Sequence, residues 1–410
     1  MKIEFIKNLF KSFFTVNIGN LLNYVTSIII IRSLSIDEYS LYISFFSLLF
    51  FFSLPNLILN QIILKIQNVI KNNYQVFKII NLYILIICFI KLVILYNLSD
   101  FLKKSFNLNN IQYFEIYLIL CLVLSLYYNF FSTLFLKTRL YMTYNITTQS
   151  MFLLKFLFVL WLYNNKNAYF ENLLQVHILS QILALLIILY FLKFFSVLKY
   201  IINDKIKKFE NFKHSLLLKY LLSIFISQFL LYAIFNYDIL ICRSSCSEYN
   251  SGLYGAASTM SKIIYFLAAS ISTILLREIF HINEEKKNYI KLVFIISIPL
   301  LIFYNISYYF FSETIINIFF DEKYNTKLFI QISTTLNLAM SVMILTSYLI
   351  IVFLTRAKAF YFIKQFFITI CAFIVTYLYN DQNPQYIATF FLISSTCLLS
   401  SLIYDFRKKI

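Results

Sequence analysis

Long apolar runs alternate with short polar breaks along the whole chain. About twenty helical residues cross a bilayer core of roughly 30 Å, so the runs are of the length that spans a membrane as an α-helix, although the fifth is short. The pattern predicts an all-α integral membrane protein with about twelve transmembrane helices in two six-helix lobes, residues 1–196 and 218–410, joined by a basic linker at 197–217. The predicted spans lie near residues 12–31, 40–63, 79–98, 113–136, 147–163, 173–196, 218–241, 252–276, 290–310, 328–354, 361–379 and 386–404.

One polar break occurs twice, about half a chain apart. The stretch from Arg32 to Tyr42 reads Arg-Ser-Leu-Ser-Ile-Asp-Glu-Tyr-Ser-Leu-Tyr, and the stretch from Arg243 to Tyr254 reads Arg-Ser-Ser-Cys-Ser-Glu-Tyr-Asn-Ser-Gly-Leu-Tyr. In each, an arginine closes an apolar helix and Leu-Tyr opens the next one. Weak internal symmetry of this kind is typical of two-lobed transporters. The sequence therefore indicates a duplicated six-helix unit.

The composition excludes most soluble and cofactor-dependent classes. The chain has 410 residues, 61% hydrophobic and 13% charged, whereas a soluble domain is about one quarter charged. Its three glycines are too few for a glycine-rich phosphate loop or a dinucleotide fingerprint, and its histidines and cysteines show no metal-ligand spacing. Cys242 and Cys246 are the only close pair, and we favour two ordinary thiols over a disulfide. We expect no cofactor, no metal and no nucleotide.

The net charge of +17 is distributed as a topology signal. If both termini and the even-numbered loops are cytoplasmic, 25 of the 35 basic residues lie on that side and seven lie outside, as the positive-inside rule requires. This distribution argues against nucleic acid as a partner. The basic linker is either an amphipathic segment on anionic membrane lipid or a plain anchoring loop.

The remaining three basic residues, Lys91, Lys155 and Lys262, lie near the middle of predicted spans. A charge at this depth costs a few kcal/mol and usually faces a cavity or a partner. We find no acidic residue at comparable depth, so the three lysines predict a cationic cavity that attracts a phosphate or pyrophosphate group. The alternative is that these side chains snorkel to an interface, or that the span boundaries differ by a turn, which would move Lys155 in particular toward an interface.

Other polar residues near or within the spans have more than one interpretation. Arg32 and Arg243 close corresponding helices and serve either as an outer gate or as helix anchors. Asp238 lies near the outer end of span seven, and it couples transport to a proton or sodium ion, pairs with Arg243 or reaches the interface. Four amide side chains either line the cavity or pack between helices, and we favour packing. They are Asn17, Asn20 and Asn23 on one face of span one, and Gln181, which shares a face of span six with His177.

Several of these stretches resemble a known family. Gly19-Asn20, the Arg32 to Tyr42 turn, Asn236-Tyr237-Asp238-Ile239-Leu240-Ile241 and Gly252-Leu253-Tyr254-Gly255-Ala256-Ala257-Ser258 are similar to stretches of the polysaccharide biosynthesis flippases. These form the O-antigen (Wzx/RfbX-type) branch of the multidrug/oligosaccharidyl-lipid/polysaccharide (MOP) exporter superfamily. The chain has Leu34-Ser35-Ile36 where the family usually has a Leu-Gly-Pro-like turn.

The resemblance implies a non-enzymatic flippase in the inner membrane that works by alternating access. Its cargo would be an oligosaccharide repeat unit linked to undecaprenyl pyrophosphate, destined for O-antigen or capsule, and glycan-assembly proteins would be potential partners. Two alternatives remain. A multidrug or cation antiporter of the same superfamily should carry carboxylates rather than lysines at mid-membrane depth. A membrane glycosyltransferase or polymerase could use Asp37 and Glu38, but no predicted loop is long enough for a catalytic domain.

Overall fold

The protein is helical throughout the part of the chain that the computed structural model describes. That part comprises residues 2–53, 56, 73–108, 111, 113–137, 140–194, 226, 229, 235–281, 286–354, 360–378 and 383–409. The basic linker at 197–217 and the first part of predicted span seven lie outside it. The helices are α1 (Lys2–Ser33), α2 (Ile36–Phe52), α3 (Asn73–Ser105), α4 (Phe114–Lys137), α5 (Tyr141–Asn164), α6 (Phe170–Phe194), α7 (235–245), α8 (Glu248–His281), α9 (Lys286–Phe319), α10 (Lys327–Leu354), α11 (Phe360–Leu378) and α12 (Pro384–Lys409).

The helices are those of a multi-pass membrane protein. Within the described residues, seven are long and apolar enough to cross a bilayer: α3, α4, α5, α6, α9, α10 and α12. Their outer faces carry large apolar side chains, such as Phe89, Tyr190, Phe303 and Phe310, that are exposed on the protein surface. Lipid can cover such a surface, whereas water cannot do so favourably. The predicted all-α membrane class is therefore confirmed.

The chain divides into two compact units. The first contains residues Met1–Thr26 and Leu48–Gln228, and the second contains Ser27–Ser47 and Phe229–Ile410. The tip formed by the end of α1 and the start of α2 thus belongs to the second unit, whereas the rest of both helices belongs to the first.

Three corresponding helix pairs occur in both units. In the first unit α3 packs on α4, α4 on α6, and α5 on α6. In the second unit α9 packs on α10, α10 on α12, and α11 on α12, which are the corresponding third, fourth, fifth and sixth helices of the other half. This repeated order agrees with the duplication that the sequence indicates.

Polar contacts hold α9 against α10. The hydroxyl of Tyr308 lies 2.5 Å from that of Ser333, and the amide of Asn305 donates to the hydroxyl of Ser341 at 2.8 Å. Hydrogen bonds between packed helices are common in membranes, where water is absent as a competing partner. Helix α9 contains Pro299 and a non-helical residue at Phe311, so this pair of helices combines a kink with polar packing.

The two duplicated turns have the same backbone structure but a different side-chain register. In each, two residues separate the helices, Leu34-Ser35 and Cys246-Ser247, and the serine hydroxyl accepts a hydrogen bond from the amide three residues later. This serine is the N-cap that begins the second helix. Aligned on the serines, Arg32 and Arg243 differ by one position. One position is a rotation of about 100° around a helix, so the two arginines point in different directions.

Candidate functional site

Lys91 is buried inside the first unit among neutral partners. Its side chain is 7% exposed, and its Nζ donates a 2.7 Å hydrogen bond to Oδ1 of Asn56. The amide nitrogen of Asn56 in turn donates to the hydroxyl of Ser125 on α4 at 2.5 Å. No carboxylate pairs with Lys91 among the residues that the structure describes. The ammonium group is therefore solvated by an amide rather than neutralised by an acid.

Lys155 lies in the interior of α5, where α5 packs on α6. Its side chain is 8% exposed, so it lies within the packing of the helices and not on their outer surface. Its charge acts on Cys121 of α4 and on His177 of α6, both buried. Helix α5 extends from Tyr141 to Asn164, six residues further at its start than the predicted span, which leaves Lys155 well inside it.

In the second unit, Lys262 of α8 lies beside α7. Its Nζ donates to Oδ1 of Asn236 at 3.3 Å and lies 6.0 Å from the ring centre of Phe235, within cation–π distance. The charge of Asp238 also acts on it. The expectation that all three lysines lack a nearby acid is thus wrong for Lys262. The reason is the path of α7, which brings Asp238 alongside α8, a proximity that linear spacing does not reveal.

Asp238 is fully buried, and the hydroxyl of Tyr254 donates to its Oδ2 at 2.8 Å. Its Oδ1 accepts no hydrogen bond within the described part of the chain. A carboxylate in this setting can hold a proton or a small cation, because both would satisfy the remaining oxygen. The alternative pairing with Arg243 does not occur.

Arg243 instead binds the tip of α1 and α2 within the second unit. Its guanidinium is 1% exposed and donates to the hydroxyl of Ser40 at 2.8 Å and to the carboxylate of Glu248 at 2.9 Å. Arg32, one helical position away in register, is exposed and donates to the backbone carbonyls of Ile318 and Phe319 at the end of α9. Both arginines therefore join helix ends.

The amide side chains fall into two groups. Asn17, Asn20 and Asn23 are half-buried on α1, and each makes a polar contact. Gln181 is 3% exposed, and its Nε2 lies 3.2 Å from Nε2 of His177, one helical turn earlier. Cys242 and Cys246 are free thiols, as we favoured.

Sequence reasoning missed the partners that surround the buried cations. No local signature marks these partners, which are Asn56, Asn236, Ser40 and Tyr254, although all but Asn56 fall inside the stretches that resemble the flippases. Asn56 and Asn236 have the same role, because the carbonyl oxygen of each side chain accepts a hydrogen bond from a lysine ammonium group. An ammonium group held by a neutral oxygen keeps its charge available to an anionic ligand. The same pairing thus occurs in each unit.

Comparisons of the whole chain with solved structures show a shared fold. The inward-closed form of the lipid II flippase MurJ matches with a TM-score of 0.66 and 14% identity, covering 96% of this chain and 87% of that one. An inward-facing multidrug resistance MATE family transporter of the MOP superfamily matches with a TM-score of 0.62 and 12% identity, covering 95% and 94%. The eukaryotic MATE transporter AtDTX14 matches at 0.61 and 9%, covering 98% and 93%. No protein-family model and no curated protein sequence matches the chain.

Proposed function

We propose that the chain is a flippase for oligosaccharide repeat units linked to undecaprenyl pyrophosphate, and that it works in the inner membrane by alternating access. The product would feed a surface polysaccharide such as O-antigen or capsule. The carrying observation is Lys91, a buried ammonium group whose hydrogen-bond acceptor is the neutral amide of Asn56. A pyrophosphate group supplies the negative charge that this environment lacks.

Two further features support an anionic, lipid-linked substrate. Lys155 on α5 and Lys262 on α8 add positive charge, one in each unit. Both lie near other polar side chains. The fold is shared with a lipid II flippase, so this architecture accommodates lipid-linked cargo. Arg32 and Arg243 would act as anchors or as an outer gate during the cycle, while Asp238 would bind a coupling ion. The asparagines of α1 would line the sugar path or pack between helices.

A cation or drug antiporter is the second candidate. One observation favours it: Asp238 is a fully buried carboxylate with an oxygen that accepts no hydrogen bond within the described residues. Such a group would hold cationic cargo as readily as a coupling ion. The fold is shared with MATE transporters as well.

Lipid-linked saccharides from cells that lack the gene test the proposal. We expect complete repeat units to accumulate on the inner leaflet. Units that lack a sugar would indicate a transferase, exposed unpolymerised units would indicate a polymerase, and normal glycan would favour the antiporter.

Single lysine replacements then test the site. Lys91→Met, Lys155→Met and Lys262→Met should abolish glycan export in cells that still insert the protein in the membrane. Lys78→Met is the matched control, because Lys78 is an exposed lysine on the same helix as Lys91. Normal export by all three variants would show that the lysines do not bind the substrate.

A further inference from the structure

A cavity of about 410 Å³ lies in the second unit, where α9 ends and α10 and α12 begin. Helix α9 contributes Tyr309 and Ser312, α10 contributes four residues between 330 and 335, and α12 contributes Gln385. The volume falls in the range of about 300 to 1,000 Å³ that is typical of small-molecule sites. The positive-inside assignment predicts that this end of the unit faces outside.

The side chains that line this cavity are uncharged among the residues that the structure describes. A charged headgroup would meet no opposite charge on these side chains. Amides and hydroxyls both donate and accept hydrogen bonds, so a ligand with many hydroxyl groups would find partners of both kinds. The polar groups are the amides of Gln331 and Gln385, the aliphatic hydroxyls of Ser312, Thr334 and Thr335, and the phenol of Tyr309.

The amide of Gln385 is held at the cavity wall but is incompletely bonded. Its Nε2 donates to the hydroxyl of Thr335 at 3.0 Å, and that hydroxyl donates to the backbone oxygen of Gln331 at 3.0 Å. Its Oε1 is buried and accepts no hydrogen bond from the part of the chain that the structure describes. An unsatisfied buried acceptor indicates a missing donor. A small rotation of the amide would let a ligand hydroxyl supply that donor.

The backbone of α9 is irregular next to the cavity. Phe311 has φ −115° and ψ 17°, which is outside the helical region, and the following residue, Ser312, lines the cavity. A break in a membrane helix is tolerated where the backbone is buried in protein or lines a hydrated cavity. The irregularity therefore agrees with a cavity that holds a polar ligand or water rather than a lipid tail.

An aromatic ring lies beside these polar groups. The side chain of Tyr309 is 70% exposed. One face of a sugar ring carries mainly C–H groups, which pack on the negatively polarised face of an aromatic ring, while the sugar hydroxyls remain available to amides and hydroxyls. A lipid tail could cover the same ring but would leave the neighbouring polar groups without partners, which is costly.

We propose that this cavity binds an uncharged sugar unit of a glycan. The sugar would stack on the ring of Tyr309 and exchange hydrogen bonds with the amides of Gln331 and Gln385. Sugar binding follows from the chemistry of the cavity, whereas the assignment of that sugar to the lipid-linked cargo rests on the proposed function. The glycan part of the cargo would then have a site of its own in the second unit, different in chemistry from the lysines.

Saturation-transfer difference NMR on the purified full-length protein tests this proposal. The protein is placed in nanodiscs without glycolipid, so that no sugar-headed detergent competes, and the probes are glucose, galactose, mannose, rhamnose and N-acetylglucosamine. The variants are Tyr309→Leu and Gln331→Leu, whose side chains are exposed, so that replacement should leave the fold intact. Phe303→Leu is the matched control, because it removes an exposed ring of α9 that does not line the cavity.

We expect the wild type and Phe303→Leu to bind at least one of these sugars with equal affinity. Tyr309→Leu and Gln331→Leu should bind the same sugar roughly threefold to tenfold more weakly. No binding of any probe by the wild type, or equal binding by every variant, would overturn the cavity as a sugar site. The flippase proposal would remain intact, because the accumulation of repeat units tests it separately.

Glycan export by cells that carry the same variants tests the assignment to the cargo. We expect export to fall in Tyr309→Leu and Gln331→Leu and to remain normal in Phe303→Leu. If the two cavity variants lose the sugar but export glycan normally, the cavity is a sugar site that the cargo does not use.

Discussion

The guanidinium of Arg243 donates a 2.8 Å hydrogen bond to the hydroxyl of Ser40, a residue 203 positions earlier in the chain. The same guanidinium binds Glu248, which begins the next helix. One buried arginine therefore ties the tip of α1 and α2 to the turn between α7 and α8. The arginine of the first copy, Arg32, binds the end of α9 instead. The corresponding arginines of the two copies therefore bind different parts of the protein.

We predict that Glu248→Ala destabilises the protein more than Arg243→Met does. Glu248 is 51% exposed, so water can solvate its carboxylate when the arginine is removed. Arg243 is 1% exposed, so loss of Glu248 leaves a guanidinium buried with one fewer acceptor, at roughly 1–3 kcal/mol. Thermal unfolding in detergent, followed with a thiol-reactive dye, would show which variant unfolds at the lower temperature. A lower unfolding temperature for Arg243→Met would mean that the packing of the arginine side chain contributes more to stability than the pairing of its charge.

The two glycines of α8 should differ in their response to alanine. A Cβ at Gly252 would lie 2.1 Å from the backbone oxygen of Ile36, which cannot move without shifting α2. A Cβ at Gly255 would meet a side-chain methyl of Ile43 at 2.6 Å, which can rotate away. We expect Gly252→Ala to lower the unfolding temperature and the yield of folded protein sharply, and Gly255→Ala to do so less.

Gly19→Ala is the matched control for this pair. Its added Cβ would meet only the end of the Gln149 side chain, and alanine favours a helix over glycine by about 1 kcal/mol. This variant should unfold at or above the wild-type temperature. Equal destabilisation by all three alanines would show that close helix approach at Ile36 is not what requires glycine.

The sequence predicts the features that depend on local pattern. Helix positions follow from apolar runs, and the placement of Lys91 and Lys155 in the interior of α3 and α5 follows from counting along them. The two turns are visible as a repeat in the sequence, but alignment on the arginines pairs Ser35 with Cys246 instead of Ser247. Only the backbone shows that Ser35 corresponds to Ser247, because capping depends on which residue begins the helix.

The partners could not be predicted because they depend on packing between distant segments. Asn56 lies 35 residues from Lys91, and Ser40 lies 203 from Arg243. Apolar periodicity fixes which residues form a helix but leaves open which face meets which neighbour. The proximity of Asp238 to Lys262 was missed for the same reason, since it follows from the packing of α7 on α8.

Lys323 should make stability depend on pH in the alkaline range. Its Nζ donates to the backbone oxygen of Leu34 at 2.7 Å, and burial lowers its pKa below the ordinary 10.5, despite the opposing charges of Asp321 and Glu38. Between the lowered pKa and 10.5 the folded protein loses this proton while the unfolded chain keeps it, so stability rises with pH.

The unfolding temperature of the wild type minus that of Lys323→Gln measures this effect. We expect the difference to increase as pH rises through the window. Lys327→Gln, which removes an exposed lysine just after Lys323, is the control. If the difference in unfolding temperature stayed constant with pH, or fell, burial would not be the main influence on the pKa of Lys323.

Asn56→Asp should weaken binding of an anionic lipid while leaving the fold intact. The new carboxylate would replace an amide oxygen 2.7 Å from Nζ of Lys91 and neutralise the ammonium group, so the lysine would offer no net charge to a diphosphate. We expect farnesyl diphosphate to bind roughly tenfold more weakly, about 1.4 kcal/mol. Asn97→Asp adds the same charge at an exposed position of α3 and should bind as the wild type does. If Asn56→Asp also binds normally, Lys91 is a structural lysine and the anion must bind elsewhere.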